Sequence, residues 1–457
     1  MKNGAQMVRL FGTNGVRGVV NKELTPEMAL RLGMAIGSFF DGTVAIATDT
    51  RNSGPMIKSA AASGIMSSGV NVVDLGITPT PAMQYFVKTQ KLAGGVMITA
   101  SHNPPQFNGI KCVGADGREL TRKDEEKIES FFSQPAEYEQ WDAVGTRRYD
   151  GTAIESYVNA VLSHVDAEAI RNAKLTVIAD CVNGASCAAT PLLLSKLGVK
   201  TILMNAEPKG IPDHLSEPTE DNLKDLIAAV KKRKADLGIA HDGDADRTIF
   251  IADAGKYAEG DEGLALMAKY ALSKKKGIVV TPVSSSSMIE EVVKKAGGSV
   301  IYTAVGSPAI AEAMLKSGAV FGGEGNGGSI FAEHQLCRDG AMAVAKMLEC
   351  IAKNGKLSKQ LNELPKYHTV KRKIVCPDKL KEGLLKFLKD GNKKIKADTT
   401  DGLKLIYGDG WVLMRPSGTE PIFRITSESK DKDVAMRRAD EFETHAEGYV
   451  RRLDKTV

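Results

Sequence analysis

The sequence predicts an α/β protein of strand-helix-strand units in mostly parallel sheets, closed by a smaller C-terminal α+β domain. Three observations support this. The chain has 457 residues, too many for a single hydrophobic core and enough for about three domains by length alone. Three times an apolar strand leads into a loop of small polar residues and glycine, then a helical stretch, a glycine and another strand. Beyond about residue 365 that pattern gives way to a lysine-rich segment, a hairpin and a long helix.

Taken in order, the first unit runs TVAIATDTRNSG (43–54) into IKSAAASGIMSSGVNVVDLG (57–76). The second runs LTVIADCVNGAS (175–186) into TPLLLSKLGVKTILMN (190–205), and the third GIVVTPVSSSSM (277–288) into IEEVVKKAGGSVIYTAVG (289–306). Continuous apolar runs suit strands buried on both faces of a parallel sheet, and ligand loops gather at the ends of such strands. The C-terminal part pairs DTTDGLKLIYGDGWVLM (398–414) as a hairpin and ends in a helix from Lys432 to Arg452. The expected domains are 1–150, 151–254, 255–365 and 366–457.

Composition narrows the function. Lys+Arg number 61 against 56 Asp+Glu, a net charge of +5, and no basic block stands out, so a nucleic-acid partner is not expected. The cysteines at 112, 181, 187, 337, 350 and 376 have no paired metal spacing and read as reduced thiols. No apolar stretch approaches the roughly twenty residues that span a bilayer, and the start lacks a hydrophobic signal core. A cytoplasmic protein with no membrane partner is expected; a homo-oligomer stays open.

Four segments carry chemistry. MITASHNPPQFNGIK (97–111) ends an apolar strand in Ser101 and His102, and Pro104-Pro105 forbid helix directly afterwards. Such a connection presents a serine, whose hydroxyl needs a base, metal or cation to react, with His102 and Lys111 at hand; it is equally ordinary turn chemistry. HDGDADR (241–247) sets Asp242, Asp244 and Asp246 at alternate positions. If the strand stays extended they share one face, where three carboxylates repel unless a hard cation such as magnesium joins them; a solvated acidic turn is the plain alternative. RPSGTEP (415–421) offers the planar fork of Arg415 with Ser417, Thr419 and the amides around Gly418 as an anion-binding concavity. FGGEGNGGSIF (321–331) puts Glu324 and Asn326 on a glycine-rich loop able to hydrogen-bond sugar hydroxyls.

Together with FGTNGVRG (11–18) and ATDTRNSG (47–54), these segments resemble, in order and separation, the α-D-phosphohexomutases, the family of phosphoglucomutase, phosphomannomutase and phosphoglucosamine mutase. The wording is most similar to the archaeal-type branch. The resemblance implies three similar α/β domains and a fourth, smaller one around a central cleft. It implies an isomerase that interconverts hexose 1- and 6-phosphates through a phosphorylated Ser101 and a hexose 1,6-bisphosphate, which also serves as activator. Asp242, Asp244 and Asp246, with Ser101, are the implied magnesium ligands. Arg17 and Arg247 fall beside the transferring phosphate, and His102 and Lys111 where proton transfer is usually placed. Glu324 and Asn326 form the implied sugar loop; Arg415, Ser417, Gly418 and Thr419 form the loop for the phosphate that stays in place.

Departures from the family pattern bear on specificity. Bacterial members usually carry Glu-x-Ser-Gly-His where this chain has Glu324-Gly325-Asn326-Gly327-Gly328, and some place histidine where Ser307 follows Val305-Gly306. Thr48 is read as standing where many relatives have arginine in an Asp-x-Arg segment, with an effect on loop packing. LGITPTPAM (75–83) reads as a loop fixed by proline, and Arg338-Asp339-Gly340 as support behind the sugar loop. Two other classes use similar parts: a phosphoserine-type sugar phosphatase, with water as the acceptor, and a non-catalytic sugar-phosphate-binding protein, in which a damaged serine or metal cluster would be expected.

Overall fold

Apolar strands and the helices between them assemble into four sheets, and the computed structural model describes residues 9–12, 15–417 and 420–453. In the first sheet the strands Gly94–Ile98, Val44–Thr48, Val72–Ile77 and Arg147–Tyr149 are parallel neighbours. Phe107–Gly114 runs antiparallel beside Gly94–Ile98, and Val16–Val19 lies outside it. The second sheet places Thr248–Ala252 antiparallel to Leu237–His241, followed by Thr176–Asp180 and Lys200–Met204 in parallel. The third repeats the plan with Gly328–Phe331 antiparallel to Phe321–Glu324, then Ile278–Pro282 and Ser299–Thr303.

Three sheets therefore contain one shared spatial order: antiparallel return strand, third parallel strand, first, second; the first sheet adds Val16–Val19 beyond the return strand and Arg147–Tyr149 beyond the second. The fourth is different, five antiparallel strands in the order His368–Val375, Ile422–Ser429, Gly410–Pro416, Leu403–Tyr407, Lys396–Asp398. The helices Asp378–Gly391 and Lys432–Leu453 cover it over a core that includes Leu405, Phe423 and Phe442. The predicted hairpin and closing helix are both present.

Local chemistry explains the helix starts. Thr25 caps Pro26–Phe39 by accepting from the Met28 amide at 3.2 Å, with Pro26 in the first turn, where its missing N–H costs nothing. Asp339 caps Gly340–Asn354 through the Met342 amide at 2.9 Å. That helix is buried without a break from Gly340 to Ile351, because it runs through a core shared by the second and third units, which includes Tyr157, Leu193, Leu266 and Phe321. The first unit keeps separate apolar clusters, and no helix among the described residues is long and apolar enough to cross a membrane.

The helices Pro26–Phe39 and Gly54–Ser67 pack closely enough that a Cβ on Gly64 would lie 2.1 Å from the Leu30 carbonyl oxygen, and one on Gly33 2.2 Å from that of Ala61. Both obstacles are backbone and cannot rotate away. Gly64→Val is therefore expected to destabilise the protein by about 3 kcal/mol, at the upper end of overpacking costs. An unchanged denaturation midpoint would contradict this packing.

Candidate active site

The same position in each of the first three units, the turn between the third parallel strand and its antiparallel return, carries the polar residues singled out in the sequence. Ser101 lies between Gly94–Ile98 and Phe107–Gly114, the three aspartates between Leu237–His241 and Thr248–Ala252, and Glu324 at the turn into Gly328–Phe331. These turns meet. The Ser101 hydroxyl donates to Asp242 Oδ2 at 2.6 Å, and the Thr248 amide to the Gly327 carbonyl at 3.0 Å.

Ser101 is fully buried and sits at φ 52°, in the left-handed region that costs a non-glycine residue about 1 kcal/mol or more. Arg51 offsets that cost. Its guanidinium donates to the carbonyls of Ser101 (2.8 Å), Asn103 (2.6 Å), Pro104 (2.8 Å) and Phe107 (3.0 Å) and pairs with Asp49 at 3.1 Å. Thr99 Oγ1 accepts from the Ser101 amide at 2.8 Å and donates to Asp49 at 2.6 Å. The segment Asp49-Thr50-Arg51 thus keeps its arginine, which corrects the reading of Thr48 as its replacement; Thr48 instead donates to the Ile98 carbonyl at 3.2 Å.

The aspartates converge for a different reason from the one their spacing suggests. The strand ends at His241 and the segment turns, with Ala245 at φ 59°, so the carboxylates meet through a turn rather than along one strand face. Ligand-capable atoms of Asp242, Asp244 and Asp246 all lie within 4.8 Å of one another. Lys111 Nζ, also buried, is 2.8 Å from Asp244 and 4.0 Å from Asp246. Arg338 donates to Asp246 at 2.6 Å, Thr80 Oγ1 to Asp244 at 2.7 Å, and Arg247 Nε lies 3.8 Å from Asp242. Arg17 reaches the serine turn through Asn103 Oδ1 at 2.7 Å.

Burial, and then the neighbouring Asp244 and Asp246 charges, push the Asp242 carboxyl up to about 8. Asp244 moves the other way: burial opposes its ionisation, but the Lys111 ammonium and the hydrogen bonds from Lys111 and Thr80 hold it well below the usual range. Burial, helped by the Arg247 and Arg17 charges, lowers His102 to about 3, so its imidazole is neutral, with Nδ1 3.4 Å from Ser101 Oγ. Asp244 Oδ1 and Asp246 Oδ1 are buried without a hydrogen-bond partner. Bare carboxylate oxygens in an all-oxygen cluster fit a hard divalent cation.

On the glycine-rich loop, Glu324 accepts from Arg338 at 3.4 Å, from Asn326 at 3.3 Å and from the Gly306 amide at 3.1 Å. Arg338 therefore joins this loop to Asp246, a link beyond the supporting role its position suggested. Thr80, read only as part of a proline turn, touches the cluster directly. Arg415 and Ser417 lie on the fourth unit, where Arg415 Nε pairs with Asp401 at 2.8 Å. Lys381 holds their loop through the carbonyls of Ser417 and Glu420, each at 2.7 Å. Gly418 and Thr419 lie outside the described residues.

Four family models match the chain in succession: phosphoglucomutase/phosphomannomutase α/β/α domain I over 8–139, domain II over 155–255, domain III over 259–367 and the C-terminal domain over 373–445. The chain belongs to the phosphoglucomutase/phosphomannomutase family. A phosphoglucomutase/phosphomannomutase of Thermococcus kodakarensis is 43% identical, covering 94% of this chain and 96% of its own. A phosphoglucosamine/phosphogalactosamine mutase of Sulfurisphaera tokodaii is 44% identical over 97% of this chain and 100% of its own. The crystal structure of a phosphoglucomutase/phosphomannomutase family protein from Burkholderia thailandensis superposes with a TM-score of 0.86 at 26% identity, covering 96% of this chain and 97% of that one. The protein is accordingly an enzyme, a mutase of the intramolecular phosphotransferase type.

The buried aspartates give this phosphohexomutase a pH signature. Without a cation, folded Asp242 retains its proton up to about 8, whereas an unfolded aspartate loses it near 3.8. Its contribution is thus complete below the lower value and is lost as pH rises through the higher one. Buried neutral histidines act in the opposite sense below about pH 6.5. Chelator-treated enzyme should therefore lose thermal stability between about pH 6.5 and about pH 8, and excess magnesium should abolish that fall. The same slope with and without magnesium would refute the coupling.

Proposed function

We propose that the enzyme interconverts hexose 1-phosphate and hexose 6-phosphate, with mannose, glucose or glucosamine as the sugar, through phosphorylated Ser101 and a hexose 1,6-bisphosphate. The observation that carries this reading is the 2.6 Å contact of Ser101 Oγ with Asp242, inside a carboxylate cluster that has two unpartnered oxygens. In this reading Asp242, Asp244 and Asp246, with the group on Ser101, hold magnesium, whose charge offsets that of the phosphoryl oxygens.

The remaining steps fall to side chains. Arg17 and Arg247 flank the transferring phosphoryl group. The P–O bond to Ser101 breaks as one forms to a sugar hydroxyl; His102, neutral here, can take the hydroxyl's proton, and Lys111, held as the ammonium beside Asp244, can give one to the departing oxygen. The bisphosphate turns over, and its other phosphate returns to Ser101. Glu324 and Asn326 grip ring hydroxyls in both orientations, while Arg415, Ser417, Gly418 and Thr419 hold the phosphate not being transferred. Water has to be excluded meanwhile, because the phosphoserine would otherwise hydrolyse. Division of the chain at 150, 254 and 365 and a cytoplasmic location belong to the same reading.

The neighbouring charges support it. Arg17, Lys111, Arg247 and Arg338 all face the Asp242, Asp244 and Asp246 cluster, so cationic side chains stand beside the carboxylates that would hold the metal, where phosphoryl oxygens would lie. The choice of sugar turns on a few hydrogen bonds worth about 1–3 kcal/mol between competitors. The two relatives above, whose names specify different sugars, frame the candidates.

Phosphorus NMR of the enzyme with magnesium and a trace of glucose 1,6-bisphosphate, in separate tubes with the 1-phosphates of mannose, glucose and glucosamine, should show conversion to the 6-phosphate. Ser101→Ala should abolish it. Accumulation of inorganic phosphate alone would replace the mutase with a phosphatase.

A further inference from the structure

The fourth unit docks on the third through few polar contacts, and one of them reaches both ligand loops. Buried Lys404 donates to the Val283 carbonyl at 2.6 Å and lies over the Trp411 ring at 4.4 Å; the Ser287 amide donates to Glu428 at 2.9 Å. Asp401 is different, because its two oxygens serve two units. Oδ1 accepts from Arg415 Nε at 2.8 Å, and Oδ2 from the Val305 amide at 2.9 Å. The next amide, that of Gly306, donates to Glu324 at 3.1 Å. Consecutive amides of one loop thus hold the carboxylate that orients Arg415 and the carboxylate of the sugar loop.

The turn carrying Asp401 has little freedom to drift. Gly402 has φ 85°, and a Cβ there would lie 2.4 Å from the Met414 carbonyl oxygen and 3.2 Å from Arg415 Cα. The turn is pressed against the strand that bears Arg415. Asp401 bonds the guanidinium through Nε and neither terminal nitrogen, so it fixes the plane of the fork without bonding its terminal edge.

We infer that Asp401 is a positioning residue that aims Arg415 at the phosphate not being transferred and ties that aim, through Val305 and Gly306, to the sugar grip of Glu324. This rests on the function proposed above. Phosphate capture and hydroxyl capture then depend on one carboxylate in a different unit from the reacting serine. Loss of Asp401 frees the Arg415 side chain to swing and detaches the Val305 amide, so it weakens binding of the bisphosphate more than it slows the chemistry at Ser101.

The test is a double-mutant cycle on binding of glucose 1,6-bisphosphate, measured by calorimetry with magnesium present. Asp401→Ala and Arg415→Ala should each weaken binding about tenfold or more, as expected for losing a charge-assisted hydrogen bond. The double variant should be little worse than Arg415→Ala alone. In turnover, Asp401→Ala should raise KM more than it lowers kcat, and Asp401→Glu, which keeps the charge, should recover part of the loss. Lys430→Ala, which removes an exposed contact of the fourth unit with Glu291 at 3.1 Å, should leave both constants unchanged. Multiplicative losses in the cycle, or an equal effect of Lys430→Ala, would overturn the inference while leaving the mutase reading intact. Binding with the expected cycle but no turnover by the unaltered enzyme would overturn the function alone, and no binding by the unaltered enzyme would overturn both.

Discussion

Three carboxylates buried within a few ångströms of one another are the constraint on which the rest of the structure depends. Asp242, Asp244 and Asp246 lose their hydration and repel, and no apolar packing could compensate for that. Compensation arrives from other parts of the chain: Lys111 from the first unit, Arg247 from the same turn, Arg338 from the third. Lys111 is fixed in the strand Phe107–Gly114 and Arg338 lies just ahead of the helix Gly340–Asn354, so satisfying the charges also ties the three units to one another. Even then, two carboxylate oxygens stay without a hydrogen-bond partner, where a divalent cation would find ligands.

The shared strand order shows how a chain of this kind reaches that arrangement without a separate solution for each unit. In each of the first three sheets the third parallel strand turns into an antiparallel return, and the turn between them stands at the carboxyl ends of the parallel strands. Tight turns admit unusual backbone angles, as at Ser101 and Ala245, and such angles direct a side chain where regular structure cannot. The strain is contained because neighbouring groups overdetermine the geometry, most clearly Arg51 with its four carbonyl bonds around the serine turn. A single guanidinium there does the work of a small hydrogen-bonded sheet.

The fourth unit obeys other rules. Its main core is its own, with a small cluster of Trp411 and Leu413 against Val283 of the third unit; its sheet is wholly antiparallel, and its polar connections to the third unit include Asp401, Lys404, Glu428 and Lys430. The loop it meets carries Ser307, which uses its hydroxyl to donate to Glu119 of the first unit at 2.5 Å, so this position serves contact between units. The Asn326 side chain likewise bonds Glu324 and the Gly328 amide, which shapes the glycine-rich loop from within.

Local order was legible in the sequence because it is written at short range. Apolar runs, capping residues and glycines identify the strand-helix-strand units, the late hairpin and the closing helix, and the motifs around Ser101, Asp242 and Glu324 name side chains that the fold gathers into one network. Which atoms meet was decided by tertiary structure alone. Ser101 and Asp242 are 141 positions apart, and the spacing of the aspartates suggested an extended strand where the chain in fact turns. Thr80 looked like part of a proline loop, Arg51 was passed over, and Arg338 and Asp401 gave no sign that each bridges two sites. Such roles depend on packing between distant segments, and no local periodicity encodes the direction in which one folded unit faces another.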